Sequence, residues 1–349
     1  KKLNLFGDFS IEENYYPLNL TLTSNDFKIS PFSNLIKNSI SNFEGEFNSE
    51  IKITGNSSNP VFYGNIVTSN VAFKVPYLNV RYEIEDNSTF FLNDQSFFID
   101  DFVLTNRLTN TFGNISGKIS HNLFKNWFLE LDINSKNLMI LNTQFNDNSL
   151  YYGTGMFNGN AIIYGPEENI LINLKGSTNK NTSLVIPIKD SNNVGDFKFL
   201  NYINPNSEQS EFEKTAKSLL VELDIDFNSN ANLEVILDSE SQSRINGFGN
   251  GRLNFKINTL GNFNMFGNFE VEKGSYFYKS LGIVNREFNI LKGSRIVWNG
   301  DPYLGDLNIN AKYEVPGGAN PAILIQNTSF NRKIPTNVNV VLTGDFNEM

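Results

Sequence analysis

The chain has no cysteine among its 349 residues, a single histidine and only two tryptophans. Without thiols it can build neither a disulfide framework nor a thiolate metal site, a usage that fits an oxidising compartment. No apolar run approaches the roughly 20 residues that a membrane-crossing helix needs, and no signal peptide is legible. Basic clusters are absent as well. The 28 Lys and Arg stand against 37 Asp and Glu, and a net charge of -9 would repel a phosphate backbone, so no nucleic acid partner is expected. The chain opens on Lys1 rather than Met, which suggests a piece of a longer polypeptide.

What is present is apolar surface in alternation. An apolar fraction of 40% suffices for a sizeable core. Val221, Leu223, Ile225 and Phe227 alternate with Glu222, Asp224, Asp226 and Asn228, and Leu253, Phe255 and Ile257 with Asn254, Lys256 and Asn258. Leu307, Ile309, Ala311, Tyr313 and Val315 alternate in the same way with Asn308, Asn310, Lys312 and Glu314. Strands of this kind make a sheet with one wet and one apolar face. Composition is also skewed toward Asn, Phe and Ile. An AT-rich genome accounts for that bias, and the Asn-x-Ser/Thr triplets at Asn56, Asn87, Asn114 and Asn327 read as its by-products rather than as glycosylation sites.

Glycines punctuate the strands in a degenerate module. Gly45, Gly55 and Gly64 recur around the Asn59-Pro60 step, Gly251, Gly261, Gly267 and Gly274 repeat the pattern, and Gly344 starts another copy. Repeats of this size stack into elongated structures. About 20 such strands at roughly 4.8 Å each would extend on the order of 100 Å. Two segments break the pattern. Phe32, Leu35, Ile36 and Ile40 follow Ser30-Pro31 at helical spacing, and Phe212, Ala216, Leu219 and Leu220 do the same, so two short amphipathic helices are expected.

Candidates for catalysis fail one by one. His121, in "ISHNLFKNW", has no serine or cysteine motif beside it and reads as a surface turn residue. "GFGNGRL" at 247–253 is followed by a strand rather than the helix a phosphate loop needs, so its glycines read as turn residues. Asp100 and Asp101 are neighbours that a strand points to opposite faces. "NGDP" at 299–302 is a chain reversal, which makes Asp301 a turn residue and leaves Trp298 in the apolar alternation. No catalytic residue, metal ligand or cofactor is expected.

The segment "GNFEVEKGSYFYKSLGIVNREFNILKGSRIVWNGDPYLGDLNINAKYEV" resembles the C-terminal region of the TamB subunits of the translocation and assembly module, in their Bacteroidota form. The motifs that carry the likeness are a Gly274/Tyr276 turn, Gly293, Trp298, Gly300 and Pro302, and the strand after them. "NRKIPTNVNVVLTGDF" is similar to the next repeat of that family, and the likeness is diffuse upstream of residue 247. The resemblance implies an all-β fold: an elongated repetitive sheet curled into a taco-like groove with an apolar lumen, of the AsmA-like bridge lipid-transfer type. Strand-turn repeats would occupy residues 1–200 with a short helix near 31–41. A loop and amphipathic helix would follow at 201–220, then the truncated start of the C-terminal domain at 221–349. The resemblance further implies a bridge across the periplasm, anchored in the inner membrane by a segment outside this sequence. Such a bridge conducts phospholipid acyl chains between inner and outer membrane; the alternative is a platform assisting outer-membrane protein assembly with a barrel of the barrel-insertase family. The expected groove lining is Ile51, Ile53, Leu223, Ile225, Leu253, Phe255, Ile257, Phe263, Met265, Phe269 and Val271, continuing with Leu307, Ile309, Tyr313, Val338, Val340 and Leu342.

Overall fold

A computed structural model describes residues 2–9, 18–35, 40–147, 150–188, 218–238, 241–258, 261–280, 284–323, 325 and 331–346. Twenty strands form one sheet. The first are β1 (Lys2–Phe9), β2 (Leu18–Lys28), β3 (Ser41–Asn56) and β4 (Asn59–Val75). Next come β5 (Val80–Ile84), β6 (Thr89–Asn93), β7 (Ser96–Asn106), β8 (Thr111–Asn122) and β9 (Lys125–Thr143). They are followed by β10 (Tyr152–Pro166), β11 (Asn169–Thr178), β12 (Ser183–Pro187), β13 (Ser218–Phe227) and β14 (Asn232–Asp238). The last are β15 (Ser243–Asn258), β16 (Phe263–Ser280), β17 (Val284–Ile290), β18 (Ser294–Gly300), β19 (Asp306–Glu314) and β20 (Asn337–Asp345).

The sheet grows along the chain, each strand pairing with those nearest in sequence. Four ranks hold two strands end to end. β5 and β6 both lie between β4 and β7, and β11 and β12 both pair with β10. β13 and β14 share the rank before β15, and β17 and β18 share the one between β16 and β19. Twenty strands less these four doublings leave sixteen ranks, so at roughly 4.8 Å per rank the sheet extends on the order of 70 Å. This is shorter than a count of strands predicts, because a broken strand adds length to a rank rather than a rank to the sheet. Pairing is antiparallel except where β11 meets β13 and β12 meets β14.

Bulges bend the strands, and their backbone explains part of the Asn and Asp content. Among the described residues, ten of the thirteen non-glycine residues with positive φ are Asn or Asp. Short polar side chains tolerate the left-handed conformation that bulges and tight turns demand. Asp26, Asn70 and Asp101 sit at or beside such irregularities in β2, β4 and β7. Asp100 and Asp101 lie at one of these bulges, both exposed, and Asp101 accepts a hydrogen bond from Asn114.

The expected helices fare differently. The first is a 3₁₀ helix, Ser30–Leu35, against which Phe32 stacks on Phe27 and Phe47; residues 36–39 lie outside the described residues. In the second segment Leu219 and Leu220 belong to β13, where parallel pairing with Ile170 and Leu171 overrides the local spacing, and Phe212 and Ala216 lie outside the described residues. Four glycine readings also change. Gly247, Gly249 and Gly251 sit inside β15 rather than in a turn, and Gly274 continues β16 at the point where its partner changes from β18 to β17.

The sheet curls until distant ranks touch. Tyr151, just before β10, packs its ring on Phe263 of β16, with centroids 5.4 Å apart. One large cluster of buried side chains fills the space between residues 150 and 346, while four small clusters serve β2 to β10.

Candidate functional site

The inner face of the sheet is a set of apolar rows that run across the strands. One row steps through register partners Leu5, Leu22, Ile51, Gly64, Leu92, Phe97, Ile119 and Leu129. A second steps through Phe102, Ile115, Ile133, Ala161, Leu174, Leu223, Phe255 and Met265. A side-chain period of two makes such rows unavoidable once the register is fixed, since every partner of an inward residue is itself inward.

The two halves of this face differ in access. From β1 to β10 much of it is only half covered: Leu20, Leu22, Ile53, Ile66, Phe97, Ile119 and Leu129 are partly accessible, and β1 is exposed along its length. From β13 onward the walls meet. Met265 and Ile309 have no accessible surface, and Phe269, Leu307 and Trp298 retain 1%.

The expected lining residues divide along the same line. Ile51 is buried and Ile53 half-buried in the open half, within reach of Phe62 and Leu92. Leu253, Phe255, Ile257, Phe263, Met265, Phe269, Val271, Ile225, Leu307 and Ile309 all face inward but are buried within one packed cluster, with Leu223, Tyr313, Val340 and Leu342 against its margin. Val338 is exposed on the edge strand β20. Sequence reasoning passed over Leu22, Leu92, Phe97, Ile119 and Leu129. Their alternation is interrupted by Gly64 and Gly117, whose missing side chains hide the row they belong to.

The outer face is held by charge pairs across strands: Lys256 with Glu222, Arg244 with Glu234, and Arg252 with Asp224. Arg252 donates Nε and Nη2 to the two Asp224 carboxylate oxygens at 2.8 and 2.6 Å, and this bond, with the charge behind it, holds Asp224 below the usual carboxylate range. These pairs are solvent-exposed and contribute little stability; their use is to keep the face wet.

His121 is not on the surface. It is 6% exposed, inside a cage of Phe62, Phe97, Phe124 and Trp127. The signal was available in the sequence as aromatics at 124 and 127, three and six positions on, but only the hairpin and the next strands over complete the cage. Asp301 is the turn residue expected: its Oδ1 accepts from the Tyr303 amide at 2.8 Å and caps the 3₁₀ helix Pro302–Leu304. Trp298 is buried, with Nε1 donating to the Pro302 carbonyl at 3.1 Å. Among the described residues no three His, Asp or Glu side chains converge as metal ligands would.

A sheet of sequentially stacked strands with one continuous apolar face therefore runs through the chain, and the family comparison agrees with it. Residues 100–349 match the family described as the TamB C-terminal domain. The chain belongs to the TamB family. The TamB match spans the half-open ranks from β7 as well as the packed ones, so both kinds of inner face lie within one family domain. No individual curated protein and no solved structure matches the chain. TamB proteins work in the translocation and assembly module, and among the described residues no helix is long and apolar enough to cross a membrane.

Proposed function

We propose that this chain is a section of a periplasm-spanning bridge that conducts phospholipids along its inner face, rather than an enzyme. Removing a two-chain phospholipid from a bilayer exposes about 30 methylenes, at roughly 0.8 kcal/mol each on the order of 25 kcal/mol, so passage through water is negligible. A floor of apolar side chains removes most of that barrier. The observation that carries the reading is the inner row from Leu5 to Leu129, which is half-open at Leu22, Phe97, Ile119 and Leu129 and buried at Ile51 and Leu92.

In this reading acyl chains lie against β2 to β10. The packed residues Phe255, Phe269 and Ile309 act as the wall that shapes and ends the open trough. The strands β2 to β9 and the region from 221 onward are then a trough and a sealed section of one bridge. The bridge would be anchored in the inner membrane by a segment outside this sequence and would meet a barrel-insertase-type barrel at the outer membrane.

A second reading is a platform for outer-membrane protein assembly, in which an edge of such a sheet is offered to a strand of the client. Such edges accept an added strand. Native mass spectrometry of the purified chain followed by lipid extraction separates the two. Stoichiometric phospholipid supports the conduit, and a lipid-free chain that captures strand peptides supports the platform.

A further inference from the structure

The turn that joins β8 to β9 is built from the wrong residues. Asn122 pairs with Lys125, leaving Leu123 and Phe124 as a two-residue loop with φ of 51° and 59°. Left-handed backbone at both positions is the hairpin geometry that Asn-Gly adopts readily, and a branched and an aromatic side chain adopt it under strain. Elsewhere among the described residues only Gln242 joins the Asn and Asp residues in holding positive φ outside glycine.

His121 supplies what keeps the turn in place. Its Nδ1 accepts the Phe124 amide at 3.2 Å, and the two rings stack with centroids 4.5 Å apart and planes 20° from parallel. The Leu123 amide donates to Gln95 Oε1 at 3.0 Å, and the His121 amide donates to the Gln95 carbonyl at 2.9 Å. Because Nδ1 is the acceptor, the neutral ring carries its proton on Nε2, and that atom is buried with no hydrogen-bond partner. Rings close around it: Trp127 at 5.0 Å, Phe97 at 5.4 Å and Phe62 at 6.5 Å between centroids. The cage belongs to the inner face, where Phe97 continues the row through Leu92 and Ile119.

We infer that the β8–β9 tip is a proton-operated clip over one end of the inner face. With His121 neutral, the Phe124 ring is held down on the cage. Uptake of one proton from solvent at Nδ1 turns the acceptor into a donor facing another donor, so the Phe124 amide loses its bond and the strained turn is released. The clip rests on the cage geometry and holds whatever the groove carries.

Burial pushes the His121 imidazole below its ordinary value, and the Asp94 carboxylate in the β6–β7 turn opposes this. The other charged or titratable groups on the elements packed around it are Lys125, Glu130, Asp132 and Lys136 on β9, Asp100 and Asp101 on β7, Tyr63 and Lys74 on β4, and Lys118 on β8, which pairs with Glu130. An unfolded histidine takes up its proton near pH 6.5, so the neutral clip is fully held above that pH and loses stability as pH falls toward the lower folded value.

The test follows the single imidazole of the full chain by nuclear magnetic resonance together with the Phe124 amide. We expect the ring to titrate below pH 6.5, and the protection of that amide to fall by up to about tenfold per pH unit between about pH 6.5 and that lower midpoint, levelling off beneath it. His121→Gln, whose side-chain oxygen accepts but does not titrate, should keep the amide protected at every pH. Leu123→Asn with Phe124→Gly relaxes the turn and should abolish the pH response of the loop while the ring still titrates. A Phe124 amide that stays protected while His121 protonates overturns the clip, as does a ring that protonates only with global unfolding. An unchanged pH response in the relaxed double variant overturns the role of strain.

Discussion

The hydroxyls of Tyr77 and Tyr151 lie 2.8 Å apart although 74 positions separate them in sequence. Tyr151 packs in turn on Phe263, which stacks on Phe255 with ring centroids 6.3 Å apart. The β4–β5 turn, the entry to β10 and the β15–β16 pair are thereby tied into one aromatic chain across the curl. If this chain helps close the sheet, Tyr151→Ala should cost about 3 kcal/mol or more, while Tyr77→Phe, which removes one hydroxyl, should cost about 1 kcal/mol. Denaturant unfolding midpoints measure both, and equal losses would deny Tyr151 its cross-sheet role.

Stability should fall in alkali. Burial raises the pKa of Tyr82, whose hydroxyl donates to the Met139 carbonyl at 2.8 Å, and pushes Tyr303 up to about 12, with the Asp301 charge adding to it. Tyr77 is raised by burial and partly lowered again by its bond to Tyr151. Unfolded tyrosine ionises near pH 10, so the stability these groups contribute is complete below that pH and is lost as pH rises through it toward the folded values. Urea midpoints should decline above about pH 10, and Tyr82→Phe should flatten the decline. A flat profile from pH 9 to 12 would contradict the burial of these phenols.

Charge on the inner face should act differently in the two halves. Alternation alone suggests that Phe269→Glu would leave the fold intact and block lipid, since water would reach an open groove. At 1% exposure Phe269 has no such access, and a carboxylate there should prevent stable folding. Ile119→Glu, in the half-open row, should fold and lose co-purified phospholipid. Circular dichroism and lipid extraction read the two outcomes; a folded Phe269→Glu chain would show that the second half is wetter than its packing implies.

Glycine positions should split by space rather than by turn geometry. A Cβ on Gly251 would sit 2.0 Å from the Asn268 carbonyl oxygen, whereas at Gly344, with φ of 96°, nothing lies within 4 Å. Gly344→Ala should therefore cost about 1 kcal/mol of backbone strain, and Gly251→Ala more than about 2 kcal/mol because β15 and β16 must move apart. Thermal denaturation of the two variants, compared side by side, decides whether the glycines inside β15 serve close strand approach.

Period-two alternation in Val221–Phe227, Leu253–Ile257 and Leu307–Tyr313 determined that these segments are strands and which of their residues face inward, because a strand has only two faces. Asp301 and Pro302 as turn residues and the buried Trp298 were equally legible, being matters of local backbone chemistry, whereas Asn299 and Gly300 end β18 in register with Phe266 and Met265 instead of joining the turn. Whether an inward residue meets a neighbour or open space depends on how far the sheet curls, and curl comes from bulges and long-range contacts such as Tyr151 on Phe263. For that reason Phe269 and Ile119, alike in their alternation, end up sealed and half-open. The same holds for His121. Its sequence neighbours Phe124 and Trp127 supply part of the apolar cage, and only Phe62 and Phe97, brought in from β4 and β7 by strand pairing, complete it.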